Sequence, residues 1–374
     1  MRPTRSRRLL LRGRPVPWRG VTAVGAVLAV LVVALLPSPY AVERPGPVFD
    51  TLGSAGSGEE RAALITIPDR TTYPTGDGRL DLLTVSVLGS PSGGPPWLDL
   101  VRAWLDPTQS VIPLEAVFPS GSTVQQSERQ SAADMTASQR SAVAAALTRL
   151  GERVQGDVRI ARVSAGTAAA GRLQVGDVIR SYDGREVDDS CALQNDVVAG
   201  GGARADVVVV RDGEERTVTV SPREVALSDG SSRPLLGVAT TASFRFPFEV
   251  DLRIDDVGGP SAGMMFALGV IDKLTPGQLT GGRHVAGTGT ICGDGQVGPI
   301  GGIRQKLVAA REAGATLFLA PEDNCDEVAG YIPAGLDVVA VKTLAGALDA
   351  LEQVRDQGSV QGLPSCAAPV GSTG

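Results

Sequence analysis

The sequence predicts an α+β chain with a mainly-β stretch in its middle and a single N-terminal transmembrane helix. Three observations carry this. An arginine cluster runs directly into an uncharged apolar segment. Helix-like and strand-like periodicities alternate on both sides of the middle. Between about Val154 and Val220 the pattern changes to short strands separated by Gly-containing turns. The 374 residues include 47 Gly and 25 Pro, which suits two turn-rich domains better than long helices. A formal net charge of −6 argues against nucleic acid as a partner, because phosphate binding asks for a basic face.

Arg2, Arg5, Arg7, Arg8, Arg12, Arg14 and Arg19 precede the uncharged run Val21–Leu36. As a helix this run spans about 24 Å, somewhat short of the roughly 30 Å of a bilayer core. Gly20 and residues after Pro37 can extend it. No A-x-A cleavage site follows, so an uncleaved anchor is expected, with a removed signal peptide as the alternative. The arginines hold residues 1–20 in the cytoplasm, 21–40 form the anchor, and the remainder is extracytoplasmic. The expected location is the cell membrane, single-pass.

Residues Glu43–Gly58 read as a linker or irregular start, Leu80–Leu88 as a strand, Trp97–Leu105 as a short helix and Thr136–Leu150 as a longer one. In the middle, Val158–Val163 alternates like a strand, Cys191–Ala199 is helical, and Ala205–Arg211 and Arg216–Val220 form a hairpin about Asp212-Gly213. The core Leu173–Ile179 (LQVGDVI), followed by this strand-turn-strand, resembles a PDZ domain of the bacterial type, over residues 152–222. Thr167 stands where such domains often have Pro. The resemblance implies binding of a peptide as an added strand beside Val158–Val163, its terminal carboxylate near Gln155–Asp157. Gly156, Asp157 and Val158 are the candidate contacts. A domain that only packs against its neighbour is the alternative.

Further on, Phe248, Val250, Leu252 and Ile254 alternate as a half-buried strand leading into Asp255–Gly263 (DDVGGPSAG). A helix follows, with Pro260 suited to its first positions. That puts Ser261 at a helix N-terminus, where free N–H groups suit a nucleophile whose substrate develops an oxyanion. The sole histidine, His284, lies 23 residues on, too close for the Ser…Asp…His order of an α/β-hydrolase esterase. The base must be sought elsewhere. Of 35 basic residues only Lys273, Lys306 and Lys342 are lysines. Arg cannot lose its proton, whereas a buried Lys can. Lys306 lies in the first turn of a helix, Ile303–Ala313, where the dipole favours the neutral amine. On position alone an exposed helix lysine is as good a reading.

The ordered motifs GGPSAG (258–263), PIGGIRQK (299–306) and AGATLFLAPEDN (313–324) resemble the proteolytic domain of the Lon family. That resemblance implies Ser261 as nucleophile, Lys306 as general base and Thr288 as the residue that orients the lysine, with Gly259 and Ala262 in support. The carboxylate found three residues before the serine in cytosolic Lon is Gly258 here. The resemblance also implies the layout: residues 43–150 and 225–354 form one proteolytic domain, the PDZ domain is inserted between them, and 355–374 form a flexible tail. The whole order resembles membrane-anchored PDZ proteases of the YlbL type in Gram-positive bacteria, and Lon-type domains imply a ring, a hexamer. No G-x-x-x-x-G-K-[ST] occurs, so ATP-independent cleavage of unfolded segments or termini is expected, with no cofactor. The cysteine spacings suggest no metal. Cys292 and Cys325 both flank the Lon-like sheet, so they are expected to pair, leaving Cys191 with Cys366. A non-catalytic PDZ scaffold in the envelope is the competing function.

Overall fold

The structure is a computed structural model and describes residues 22, 26, 28, 31–55, 62–226 and 232–366. Two six-stranded sheets organise it. The first draws on both ends of the chain. Strand β1 (Tyr40–Asp50) pairs antiparallel with β2 (Arg79–Leu88) and with β3 (Ser110–Pro113). The second sheet takes the middle of the chain: β4 (Gln155–Val163), β5 (Val178–Tyr182), β6 (Ala205–Arg211), β7 (Glu214–Val220) and β8 (Val238–Arg245), with the short strand Arg185–Glu186 pairing on β5 as the sixth. The first sheet then resumes with β9 (His284–Gly287), β10 (Leu317–Pro321) and β11 (Asp337–Val341), running parallel to one another and, through β9, to β2.

The elements follow from local chemistry. The β6–β7 hairpin turns on Asp212 and Gly213, whose φ of 54° and 85° suit a turn that needs two left-handed residues. Helix α1 spans Trp97–Leu105 and helix α2 spans Val124–Arg149. The second begins a dozen residues before the expected Thr136. The extension is held by a capping box in which the Thr123 hydroxyl accepts from the Gln126 N–H and the Gln126 side chain accepts from the Thr123 N–H. Helix α3 (Ser190–Ala199) crosses the second sheet; α4 (Gly263–Leu274), α5 (Ile303–Glu312) and α6 (Leu344–Gln357) pack on the first. The main core gathers Met264, Met265, Phe266 and Leu268 of α4 with Leu80 and Leu82 of β2 and Ala142, Ala145 and Ala146 of α2. The alanines let the two helices approach closely.

Several expectations change. The Phe248–Ile254 alternation is correct as to side, since all four apolar residues pack on the core, but only Asp251–Leu252 pair, with Ile65–Thr66. Helix α4 opens at Gly263, so Pro260 and Ser261 lie in the turn before it rather than inside it. The region after 354 is folded through Cys366: α6 runs to Gln357, Pro364 accepts from the Ala340 N–H, and Cys366 is buried. Both expected disulfides are replaced. Cys191 pairs with Cys292 and Cys325 with Cys366. Partner choice depends on which loops of the two sheets meet, and that is a tertiary fact that flanking strands do not reveal. Among the described residues no helix is long and apolar enough to cross a membrane. Residues 1–20, most of 21–30 and 367–374 lie outside the described part.

Candidate active site

Lys306 sits on the first turn of α5, following Gly302 with φ 66°, a left-handed cap that a Cβ would drive into Val85. The helix packs on β1 and β2, so the lysine points into protein and is 2% exposed. Its Nζ lies 2.7 Å from Ser261 Oγ and 2.9 Å from Thr288 Oγ1. Among the described residues no carboxylate forms an ion pair with it. Burial pushes its pKa down to about 7, with Glu43 acting in the other direction. Glu43 on β1 is itself held above the usual carboxylate range, first by burial and then by Glu327.

The serine is placed by two anchors. On one side Gly259, at φ 84°, turns the chain, and its N–H donates to Ser131 O of α2; the Ser138 hydroxyl of the same helix donates to Pro260 O. On the other side Ser261 O accepts from the Thr288 hydroxyl at 2.9 Å and from the Gly289 N–H at 3.0 Å. Thr288 follows the last residue of β9, so the sheet itself fixes the hydroxyl that touches both serine and lysine. Among the described residues the backbone N–H groups of Ser261 and Ala262 donate to no protein acceptor. The structure thus brings Ser261, Lys306, Thr288, Gly259 and Ala262 to one place.

His284 is elsewhere. It opens β9, about 13 Å along the strand from Thr288 at 3.3 Å per residue. Its Nε2 is bonded to the buried Asp81 carboxylate.

The crevice over Ser261 has a volume of about 610 Å³ and runs between Thr84–Val87 of β2 and the Asp255–Gly258 segment. Strand β9 pairs β2 only over Arg79–Leu82. Beyond that the edge of β2 faces the crevice, with no strand beside it among the described residues.

The second sheet changes the expected peptide site. Strand β4 is not an edge. It pairs β5 on one side, while β8 covers the other along Gln155–Val163, placing Gly156, Asp157 and Val158 opposite Phe244, Ser243 and Ala242. Asp157 is further engaged by Arg180 and Arg245. The three residues therefore cannot receive an added strand. The outer edge on this side of the sheet belongs to β8, and a groove of about 500 Å³ lies between its start and α3, lined by Cys191, Gln194, Val197, Leu236, Val238 and Thr240. Among the described residues the N–H groups of Leu236 and Gly237 at its end have no protein acceptor.

A covalent link joins the two regions. Cys191 on α3 is bonded to Cys292, one residue after the Thr290–Ile291 strand. Beside it the buried Asp189 carboxylate accepts from the N–H groups of Gly293 and Cys191 and from the Ser141 hydroxyl of α2. Sequence reasoning passed over Asp189, whose signal was an Asx residue immediately before a helix.

Comparison with known proteins gives two family matches. Residues 256–353 match the Lon protease (S16) C-terminal proteolytic domain, and residues 130–221 match the PDZ domain. Lon protease 2 of Bacillus subtilis is 33% identical over 134 residues, covering 34% of this chain and 24% of that protein. Lon protease 2 of Herpetosiphon aurantiacus is 44% identical over 87 residues, 22% of this chain and 10% of that protein. The Lon protease of Helicobacter pylori is 31% identical over 147 residues, 38% of this chain and 17% of that protein. The chain thus spans a quarter or less of these relatives. Among solved structures, the PDZ domain of an SdrC-like protein from Listeria innocua aligns with 22% of this chain and 92% of its own, at 19% identity and a TM-score of 0.20. The chain therefore combines a Lon protease C-terminal proteolytic domain with a PDZ domain.

Proposed function

We propose that the chain is a membrane-anchored serine endopeptidase that works without ATP, with Ser261 as nucleophile and Lys306 as general base. The observation that carries this is the 2.7 Å contact between Lys306 Nζ and Ser261 Oγ in a buried site where no carboxylate among the described residues pairs with the lysine. A neutral amine has one lone pair and two N–H groups. Donating to Thr288 Oγ1 leaves the lone pair free to accept the Ser261 hydroxyl proton. Thr288 in turn donates to Ser261 O, so one hydroxyl positions both members of the pair.

The substrate strand lies along the open edge of β2 at Thr84–Val87, its scissile carbonyl over Ser261. Ser261 Oγ attacks the carbonyl carbon as its proton passes to Lys306. The Ser261 and Ala262 N–H groups receive the developing oxyanion. Lys306 then returns the proton to the leaving amine, and water, deprotonated by the same lysine, releases the acyl group.

The groove between β8 and α3 takes a substrate segment or terminus, with a carboxylate on the Leu236 and Gly237 N–H groups. Anchoring is supported by the arginine cluster before Val21 and by the exposure of Leu31, Val32, Val33, Leu35 and Leu36. Two disulfides suit an oxidising, extracytoplasmic setting. Labelling of the full chain with an active-site-directed serine reagent tests the central assignment. Wild type is expected to label and Ser261→Ala to fail; equal labelling of both contradicts it.

A further inference from the structure

Helix α1 exposes apolar side chains that the active site and the groove leave unused. Leu98, Val101, Trp104 and Leu105 are all solvent-facing, with Trp104 60% and Leu105 81% exposed. At 100° per residue these four fall within an arc of about 120°. The opposite face is committed: Leu100 and Ala103 are buried against Val42, Tyr40, Leu88 and Val111. The helix is therefore held by one side, and its apolar stripe cannot turn inward.

Its position narrows what can cover that stripe. The start of α1 is stitched to the end of the N-terminal apolar run. The Trp97 N–H donates to Leu36 O, the Ser38 N–H to Pro95 O and the Gly94 N–H to Ser38 O, and Pro37 bridges Pro96. Leu31–Leu35 are helical and, with Leu36, present exposed apolar side chains up to this junction. Tyr40 and Trp97 meet edge to face there, with ring centroids 6.1 Å apart. Aromatic rings with a polar tip favour the headgroup level of a bilayer, and an amphipathic helix with Trp and Leu on one face lies in that plane.

We propose that α1 is a second membrane contact, lying in the outer lipid interface beside the point where the anchor emerges, so that the folded part is held at a fixed orientation instead of swinging on its tether. This rests on the anchoring reading above. The occupant is bilayer lipid, because the exposed stripe continues the apolar surface of the segment assigned to the membrane.

The test uses the full chain in phosphatidylcholine vesicles whose acyl chains carry bromine at a shallow or a deep position. Trp18 and Trp97 are changed to Phe, leaving Trp104 as the single fluorophore among the three tryptophans. The protein is expected to float with the vesicles, and Trp104 emission to be quenched at least about twofold, more by shallow than by deep bromine. A Val101→Asp, Leu105→Asp variant is expected to float equally, keep its circular dichroism and lose the quenching. A protein that floats while Trp104 stays unquenched overturns the proposal and leaves the anchor standing. If Trp104→Cys then gives disulfide-linked dimers, a second copy covers the stripe instead. A protein that does not float overturns both readings.

Discussion

Among the described residues, two of the strand edges without a partner strand border a groove, and what lies across each groove is different. The edge of β2 at Thr84–Val87 looks across a crevice at Ser261 and a lysine that is 2% exposed. The outer edge of β8 looks at α3, an open and largely apolar wall with no buried ionisable base. The backbone chemistry on offer is the same in both: a row of N–H and C=O groups ready to receive an extended peptide. On the proposed function, what separates a cleaving edge from a holding edge is the desolvated amine. On the proposed function strand recognition and bond cleavage are separable, and the predictions below act on one edge, on the other, or on the link between them.

The largest effect belongs to the dyad. Arg keeps the charge of Lys306 but cannot become neutral, so Lys306→Arg should lower kcat by about 100- to 10,000-fold. The double variant with Ser261→Ala should be little worse than either alone, because the two act as a unit. Peptide affinity at the β8 groove, read by titrating a labelled peptide, should not change. Activity within about tenfold of wild type would assign the base to another group.

Next is the link between the edges. Cys191 and Cys292 close a 101-residue separation, for which the chain-entropy account gives about 4.7 kcal/mol. Replacing both by Ser should lower unfolding stability by an amount of that order in urea titration. Cleavage of proteins should fall more than hydrolysis of a small ester, since on the proposed function only the former uses both edges. An equal fall in both would make the bridge a purely structural brace.

Thr288→Val removes the hydroxyl that accepts from Lys306 and donates to Ser261 O while keeping the shape. Two hydrogen bonds, one buried and one partly so, at about 1–1.5 kcal/mol each predict a loss of roughly 30- to 150-fold in kcat. KM should move little. The smallest effect is expected at the other edge. Gln194→Trp places a bulky side chain from an exposed turn of α3 into the groove. It should lower kcat/KM for protein substrates by about tenfold or less and leave ester hydrolysis unchanged. A drop for the ester would show that the groove and the crevice are not separable.

Much of the Ser261 site was legible in the sequence, and the free edge of β8 was not. Lys306 stands out because the chain otherwise prefers Arg, and the Ser261, Thr288 and Lys306 motifs are short stretches whose spacing survives folding. Strand β8 reads VATTASFR, a weakly apolar run that follows a sheet already supplied with a closing hairpin. Nothing local says that it returns to cover β4, so the edge was assigned to the wrong strand. The early turns of α2 were missed for a related reason: Ser127, Glu128, Arg129 and Gln130 show no apolar period, and the helix there is held by its cap. Cys366 illustrates the third limit, since a polar, Gly-containing tail reads as loose until its cysteine finds Cys325.

The most direct test of the central claim is the pH dependence of Ser261 acylation in single-turnover reactions with a small activated ester. The lysine must be neutral to act, and burial holds its pKa near 7 in the folded protein. The rate constant should therefore be low on the acid side, rise about tenfold per pH unit up to roughly pH 7, and level off above it. Thr288→Val should retain the same sigmoidal shape at a lower plateau. A rate that keeps climbing past pH 9, as an exposed lysine would require, or one that is flat across pH 6 to 8, would contradict Lys306 as the base.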